Sequence, residues 1–107
     1  MTARAAFLRG RHRVGPGARG DVARVVRTYA GQVQYCYAEA LGRHTRAGGE
    51  LDVLLRIHGG RVGTVQVERD TTADPNLEAC VVRKLSRWEF PASVELDLLM
   101  PFSLRPR

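Results

Sequence analysis

No stretch of this sequence approaches the roughly 20 consecutive apolar residues that cross a membrane as a helix, so no membrane span is predicted. The first residues, MTARAAFLRGRHRVG, include several arginines but no apolar segment of signal-peptide length. A module working outside the cytoplasm would need an export signal that this chain lacks. Metal and catalytic signatures are scarce too. His12, His44 and His58 are scattered, none beside a second ligand at metal spacing, and read as surface histidines. Ser86, Ser93 and Ser103 lie in no nucleophile-elbow context, and neither cysteine has a histidine near it in a recognisable motif. Gly15-Pro16-Gly17-Ala18-Arg19-Gly20 matches GxGxxG in spacing, but no apolar strand precedes it and no βαβ unit follows. Asp70 and Asp74 flank a loop and read as a strand end and a helix N-cap, not a catalytic carboxylate pair. The chain therefore reads as a non-enzyme, with no cofactor, no metal and no small-molecule substrate.

What is present suits a single domain. At 107 residues, folding buries roughly 65% of the surface the unfolded chain exposes. That is enough for one core, but not for a deep, separately built active site. The apolar share of 44% and charged share of 26% are globular values. The net charge of +6 is unevenly placed. Arg4, Arg9, Arg11, Arg13 and Arg19 stand in residues 1–20 without a single acid, so the remainder is nearly neutral. With Gly15, Pro16, Gly17 and Gly20 among them, residues 1–20 read as a flexible basic leader, and residues 21–107 as the folded domain. A nucleic-acid-binding fold should carry its basic footprint on the domain itself. A small nucleic-acid-associated protein using its Arg-rich tail is thus the second reading, not the first.

From Asp21 the pattern becomes helical. Val22, Val25, Val26, Tyr29, Val33, Cys36, Tyr37, Ala40 and Leu41 recur at steps of three and four, with Asp21 as N-cap and Gly42 as C-terminal stop. Leu51, Val53, Leu55 and Ile57 then alternate as one face of a strand, and Gly59-Gly60 signals a tight hairpin turn. A second strand is predicted from Arg61 to Asp70, with Val65 and Val67 inward. Asp74-Pro75 starts a second helix with apolar stripe Leu77, Cys80, Val81, Leu85 and Trp88, closed by Pro91. A last strand is predicted from Ser93 to Phe102. The element order is α-β-β-α-β. The simplest α+β arrangement that buries every stripe is a three-stranded antiparallel sheet with two helices on one face.

Cys36 and Cys80 both fall on helix stripes facing the same sheet, so they could meet. They are either a disulfide spanning 44 residues, worth about 4 kcal/mol in the chain-entropy model, or two reduced, buried cysteines. Trp88, at helical spacing from Leu77, Val81 and Leu85, reads as core. Tyr35 falls off the buried stripe and is the candidate for an exposed aromatic contact.

Four segments, in order and spacing, resemble the TonB C-terminal-like domains, specifically the myxobacterial AgmX/PglI C-terminal branch. They are Val25-Val26-Arg27 leading to Val33-Gln34-Tyr35-Cys36-Tyr37; Ile57-His58-Gly59-Gly60-Arg61-Val62 with Val65; Leu77-Glu78-Ala79-Cys80-Val81-Val82; and Arg87-Trp88-Glu89-Phe90-Pro91. The resemblance covers about residues 21–103. It implies a Cys36–Cys80 disulfide and a periplasmic, protein-binding module of a TonB-type energy-transduction, transport or gliding-motility system. The implied partners are outer-membrane protein segments, with an inner-membrane motor complex reached through upstream parts. TonB-type proteins usually carry a membrane anchor and a Pro-rich linker, and this chain has neither. It is expected to be either the C-terminal module of a longer protein or a stand-alone relative.

The physical case for binding rests on the last strand. Nothing downstream is available to cover its edge, and an exposed edge is a template for another chain's backbone. Ser93, Val94, Glu95, Leu96, Asp97, Leu98, Leu99 and Met100 are the expected partner-docking residues, a strand that the resemblance also singles out. The same edge could pair with a second copy to give a homodimer.

Overall fold

The structure is a computed structural model that describes residues 2–3, 7–9 and 18–106. Its centre is a hairpin whose turn follows from Gly59-Gly60. Both glycines have positive φ, 56° and 79°, the left-handed pair that a two-residue turn between twisted strands requires. Gly60 is also needed for a second reason. A Cβ there would lie 2.3 Å from the carbonyl oxygen of Phe90. The chain after the second helix is bonded to the turn, with Phe90 N–H donating to Gly60 O at 2.8 Å and Gly60 N–H donating to Val94 O at 3.0 Å.

Two short N-terminal strands come first, β1 (Thr2–Ala3) and β2 (Phe7–Arg9). They are followed by α1 (Ala18–Arg43), β3 (Gly49–His58), β4 (Arg61–Asp70), α2 (Pro75–Leu85) and β5 (Leu96–Leu104). The body of the sheet is three antiparallel strands in the order β4-β3-β5, with β1 and β2 added antiparallel to the far edge of β5. Both helices cover one face. Leu51, Val53, Leu55 and Ile57 of β3 and Leu96, Leu98, Met100, Phe102 and Leu104 of β5 are buried in one core with Val33, Cys36, Tyr37 and Ala40 of α1 and Leu77, Cys80, Val81 and Leu85 of α2. The α+β fold with order α-β-β-α-β over the three-stranded body is the one expected.

Several boundaries differ from expectation. The α1 helix begins at Ala18, so Asp21 is not its N-cap. Asp21 lies in the first turn, where its carboxylate suits the positive end of the helix dipole and accepts from Arg24 Nη2 at 2.7 Å. Gly42 is inside the helix, which continues to Arg43, with His44 N–H bonded to Ala40 O at 2.9 Å. The domain boundary expected at residue 20/21 therefore falls within α1. Thr2–Ala3 and Phe7–Arg9 of the expected flexible leader are strand. The rest of that leader up to Gly17, and His12, lie outside the described residues.

The α2 helix is capped as expected, Asp74 Oδ1 accepting from Asn76 and Leu77 N–H at 3.1 and 3.0 Å. It stops at Leu85, well before Pro91. The reason is a tightened last turn: Arg87 N–H turns back to Lys84 O and Trp88 N–H to Leu85 O, both at 3.1 Å, and Ser86 Oγ donates to Arg83 O. Trp88 is nonetheless core, 2% exposed. Its ring stacks on Tyr29 with centroids 5.4 Å apart.

Candidate partner-docking edge

The last strand starts at Leu96, three residues later than expected, because Val94 and Glu95 are engaged elsewhere. Val94 is buried, and its N–H and C=O are taken by Pro91 O and Gly60 N–H. The Glu95 carboxylate accepts from Gly59 N–H at 2.9 Å and meets His58 Nδ1 at 2.8 Å, closing the hairpin tip. Of the expected docking residues, Ser93, Val94 and Glu95 therefore lie before the strand, while Leu96, Asp97, Leu98, Leu99 and Met100 lie within it. The strand extends on through Pro101 to Leu104.

The direction of each backbone group along β5 follows from one fixed point. Glu50 exchanges bonds with Thr71 on the β4 side of β3, Thr71 N–H to Glu50 O at 2.8 Å and Glu50 N–H to Thr71 Oγ1 at 2.7 Å. Backbone groups alternate sides along a strand, so those of Leu51 point at β5, where Leu51 is opposite Phe102. The β3–β5 register runs without a shift from Gly49↔Leu104 to Ile57↔Leu96. Leu96, Leu98, Met100 and Phe102 therefore bond toward β3. Asp97, Leu99, Pro101 and Ser103 turn their backbone groups to the far edge. The bond from Gly60 to Val94 has the same parity. Pro101, which has no N–H, sits on the far-edge parity, where it removes nothing from the central ladder.

That far edge is not open along its whole length, contrary to the expectation of a free edge strand. Phe7, Leu8 and Arg9 pair with Leu99, Leu98 and Asp97, and Thr2 and Ala3 with Ser103 and Phe102. Sequence reading missed this because a leader dominated by arginine and glycine hides the three-residue Phe7-Leu8-Arg9 segment. Its apolar pair is the one signal that could have drawn attention to it. On the face away from the helices, Leu99 lies opposite Leu54, which is only 6% exposed.

The opposite edge of the sheet, β4, is built differently. Its register against β3 shifts twice, between Asp52 and Val53 and between Arg56 and Ile57. Each shift places an extra β4 residue, Glu68 and Gly63 respectively, in the ladder. Bulges and charged residues are the usual devices that keep an edge from pairing with other chains. Arg61, Glu68 and Arg69 are exposed along this strand.

The other sequence candidates are placed as follows. Cys36 and Cys80 form a disulfide with Cα atoms 5.7 Å apart, joining α1 to α2. Tyr35 is exposed, at 55%, and the ammonium of Lys84 stands 5.4 Å from its ring centroid. Asp70 ends β4 and Asp74 caps α2, as expected. Less expected, Asp70 and Glu78 both line one open groove, together with Pro75, Ala79 and Val82. Burial pushes the Asp70 carboxyl up, but hydrogen bonds from Glu78 and from the Thr72 hydroxyl and N–H outweigh it and hold Asp70 below its ordinary range. The neighbouring Asp70 carboxyl, with some burial, pushes Glu78 up. Hydrogen bonding by Leu77 N–H, aided by Arg43, keeps Asp74 low despite some desolvation. Burial raises Tyr37, whose hydroxyl donates to Ala47 O at 2.6 Å.

Among the described residues no helix is long and apolar enough to cross a membrane, and no group of three or more His, Cys, Asp or Glu could hold a metal ion. No family model, curated protein or solved structure matches the chain.

Proposed function

We propose that this chain is a protein-binding module that docks an extended partner segment by strand addition at the outer edge of β5. One observation supports the reading above others: Asp97 and Leu99 direct their backbone groups to that edge, and it already accepts an antiparallel strand, β2. Strand addition draws affinity from such backbone groups and specificity from the side chains between them. The two outer strands also differ, β4 bulged and charged, β5 paired to β3 without a register shift.

The resemblance to TonB C-terminal-like domains gives the setting. In this reading the module works in the periplasm, within an envelope energy-transduction or gliding-motility system, and its partners are segments of envelope proteins. The Cys36–Cys80 disulfide is compatible with an oxidising compartment outside the cytoplasm.

The test is capture from solubilised envelope fractions with the folded chain and its Leu99→Pro variant. Leu99 is the right position because its N–H faces outward, so proline there removes a docking donor and leaves the β3 ladder whole. Loss of the captured bands in the variant is expected. Equal capture would reject the β5 edge. Capture that collapses between 50 and 200 mM salt, with nucleic acid in the eluate, would point instead to phosphate binding by the arginines of the leader.

A further inference from the structure

The edge proposed for docking is partly filled by the chain's own N-terminal strands. We infer that β2 is a resident competitor for the docking edge, and that its register defines the segment the edge accepts in trans. That segment is antiparallel to β5, with two adjacent apolar residues followed by a cation. This inference rests on the docking reading above.

Three observations carry it. First, β2 occupies the docking positions themselves: Phe7 opposite Leu99, Leu8 opposite Leu98 and Arg9 opposite Asp97. Leu99 and Asp97 are the two residues whose backbone groups face outward there, so β2 and an incoming strand need the same donors and acceptors and cannot both be bound. Second, the occupant is short. Strand β2 has three residues and β1 two, and the register against β5 slips by one residue between them. Ala3 pairs with Phe102 and Phe7 with Leu99, leaving three chain residues against the two β5 residues Met100 and Pro101. The register therefore shifts beside Pro101, which has no N–H. A partner strand in continuous register would make more of the available bonds and could displace it. Third, the register sets residue type against residue type. Arg9 stands at the position opposite Asp97 and Phe7 at the position opposite Leu99, combinations that cross-strand neighbours favour in general. Phe7-Leu8-Arg9 is thus a template for the partner: apolar, apolar, cationic.

A segment tethered in the same chain acts at an effective concentration in the millimolar range. Removing its backbone donors should therefore strengthen binding of a free strand by tenfold or more. The probe is a fluorescent peptide with the sequence of residues 2–11. It is titrated by anisotropy into the full-length chain and into the full-length Phe7→Pro/Arg9→Pro variant, whose near-UV circular dichroism and unfolding midpoint establish that the domain is intact. The peptide is expected to bind the variant at least tenfold more tightly than the parent chain. A peptide carrying Arg9→Glu should bind the variant about threefold less tightly than the unaltered peptide. Equal affinity for both proteins overturns the competition, and no binding to either overturns the template. A concentration-dependent dimer of the parent chain that is lost in the variant would place β2 on a second copy, which overturns the intramolecular arrangement. If the peptide behaves as expected while Leu99→Pro leaves envelope capture intact, the docking reading fails and the cis pairing stands. The reverse pattern sinks only the competitor.

Discussion

The indole of Trp88 donates its Nε1–H to Oε1 of Gln32 at 3.0 Å, across 56 residues of sequence, while its ring lies stacked on Tyr29 of the same helix. This contact ties the segment after α2 onto α1, and through Phe90 and Gly60 onto the hairpin tip. A buried indole N–H left without a partner is costly. Gln32→Leu should therefore lower the unfolding free energy by about 1–3 kcal/mol, and Trp88→Ala by about 3–5 kcal/mol. Urea unfolding measures both. A Gln32→Leu protein as stable as the parent would show that this bond contributes nothing.

The Cys36–Cys80 bridge encloses a long loop, with a separation of 44 residues. Constraint of the unfolded chain makes it worth about 4 kcal/mol. The Cys36→Ala/Cys80→Ala protein should lose that much unfolding free energy in denaturant titration, and adding a reductant should then change nothing further. A loss below about 1 kcal/mol would contradict the loop-entropy reading.

Protonation of the cap and of the carboxyl pair should separate by pH. Asp74 has a depressed pKa, so its stabilisation is present above the ordinary aspartate value and disappears as pH falls through the lower folded value. Asp74→Ala should cost about 1 kcal/mol near neutrality and progressively less in acid. Glu78 is raised, so its contribution is complete below the ordinary glutamate value and is lost as pH rises through the higher folded value. Glu78→Gln keeps a donor toward Asp70 at every pH. It should raise stability near pH 7 and leave it unchanged near pH 3. Unfolding midpoints across pH 3–8 check both signs. A Glu78→Gln effect confined to acid would be the wrong sign.

The alternation along β5 gives a sharp contrast between neighbours. Leu98 is fully buried and bonds toward β3, so Leu98→Pro loses a central ladder bond as well as core packing. It should cost more than about 3 kcal/mol. Leu99→Pro touches only the outer edge and should cost clearly less. Thermal unfolding of the two variants decides it, and equal losses would overturn the assignment of inward and outward groups.

Much of this fold was legible because its signals are local. Gly59-Gly60 marks the hairpin and Asp74-Pro75 the start of α2. The alternation from Leu51 to Ile57 and the stripe Leu77, Cys80, Val81, Leu85 each mark a buried face. What was not legible depends on contacts distant in sequence. The end of α2 at Leu85 is set by a tightened turn and not by Pro91. The late start of β5 follows from Glu95 capping a turn 36 residues earlier in the chain. The pairing of Phe7-Leu8-Arg9 with β5 spans about 90 residues, and a three-residue segment has too little periodicity to announce itself. Of the candidate site, the strand was identified, but its first three residues and the state of its edge were not. The approach of Asp70 and Glu78 to one groove has no sequence signature, since it brings a strand end beside a helix through tertiary packing alone.

The central claim is that partners dock on the outer edge of β5, and contact mapping at single residues tests it most directly. A photo-reactive amino acid is placed in turn at Leu99, at Gln66 on β4 and at Tyr35 on α1, and each folded protein is irradiated with solubilised envelope fractions. Adducts of higher mass should form from position 99 and be absent from positions 66 and 35. They should fade when excess peptide with the sequence of residues 2–11 is added. Adducts from Gln66 or Tyr35 with none from position 99 would contradict docking on β5 and place the binding surface elsewhere on the domain.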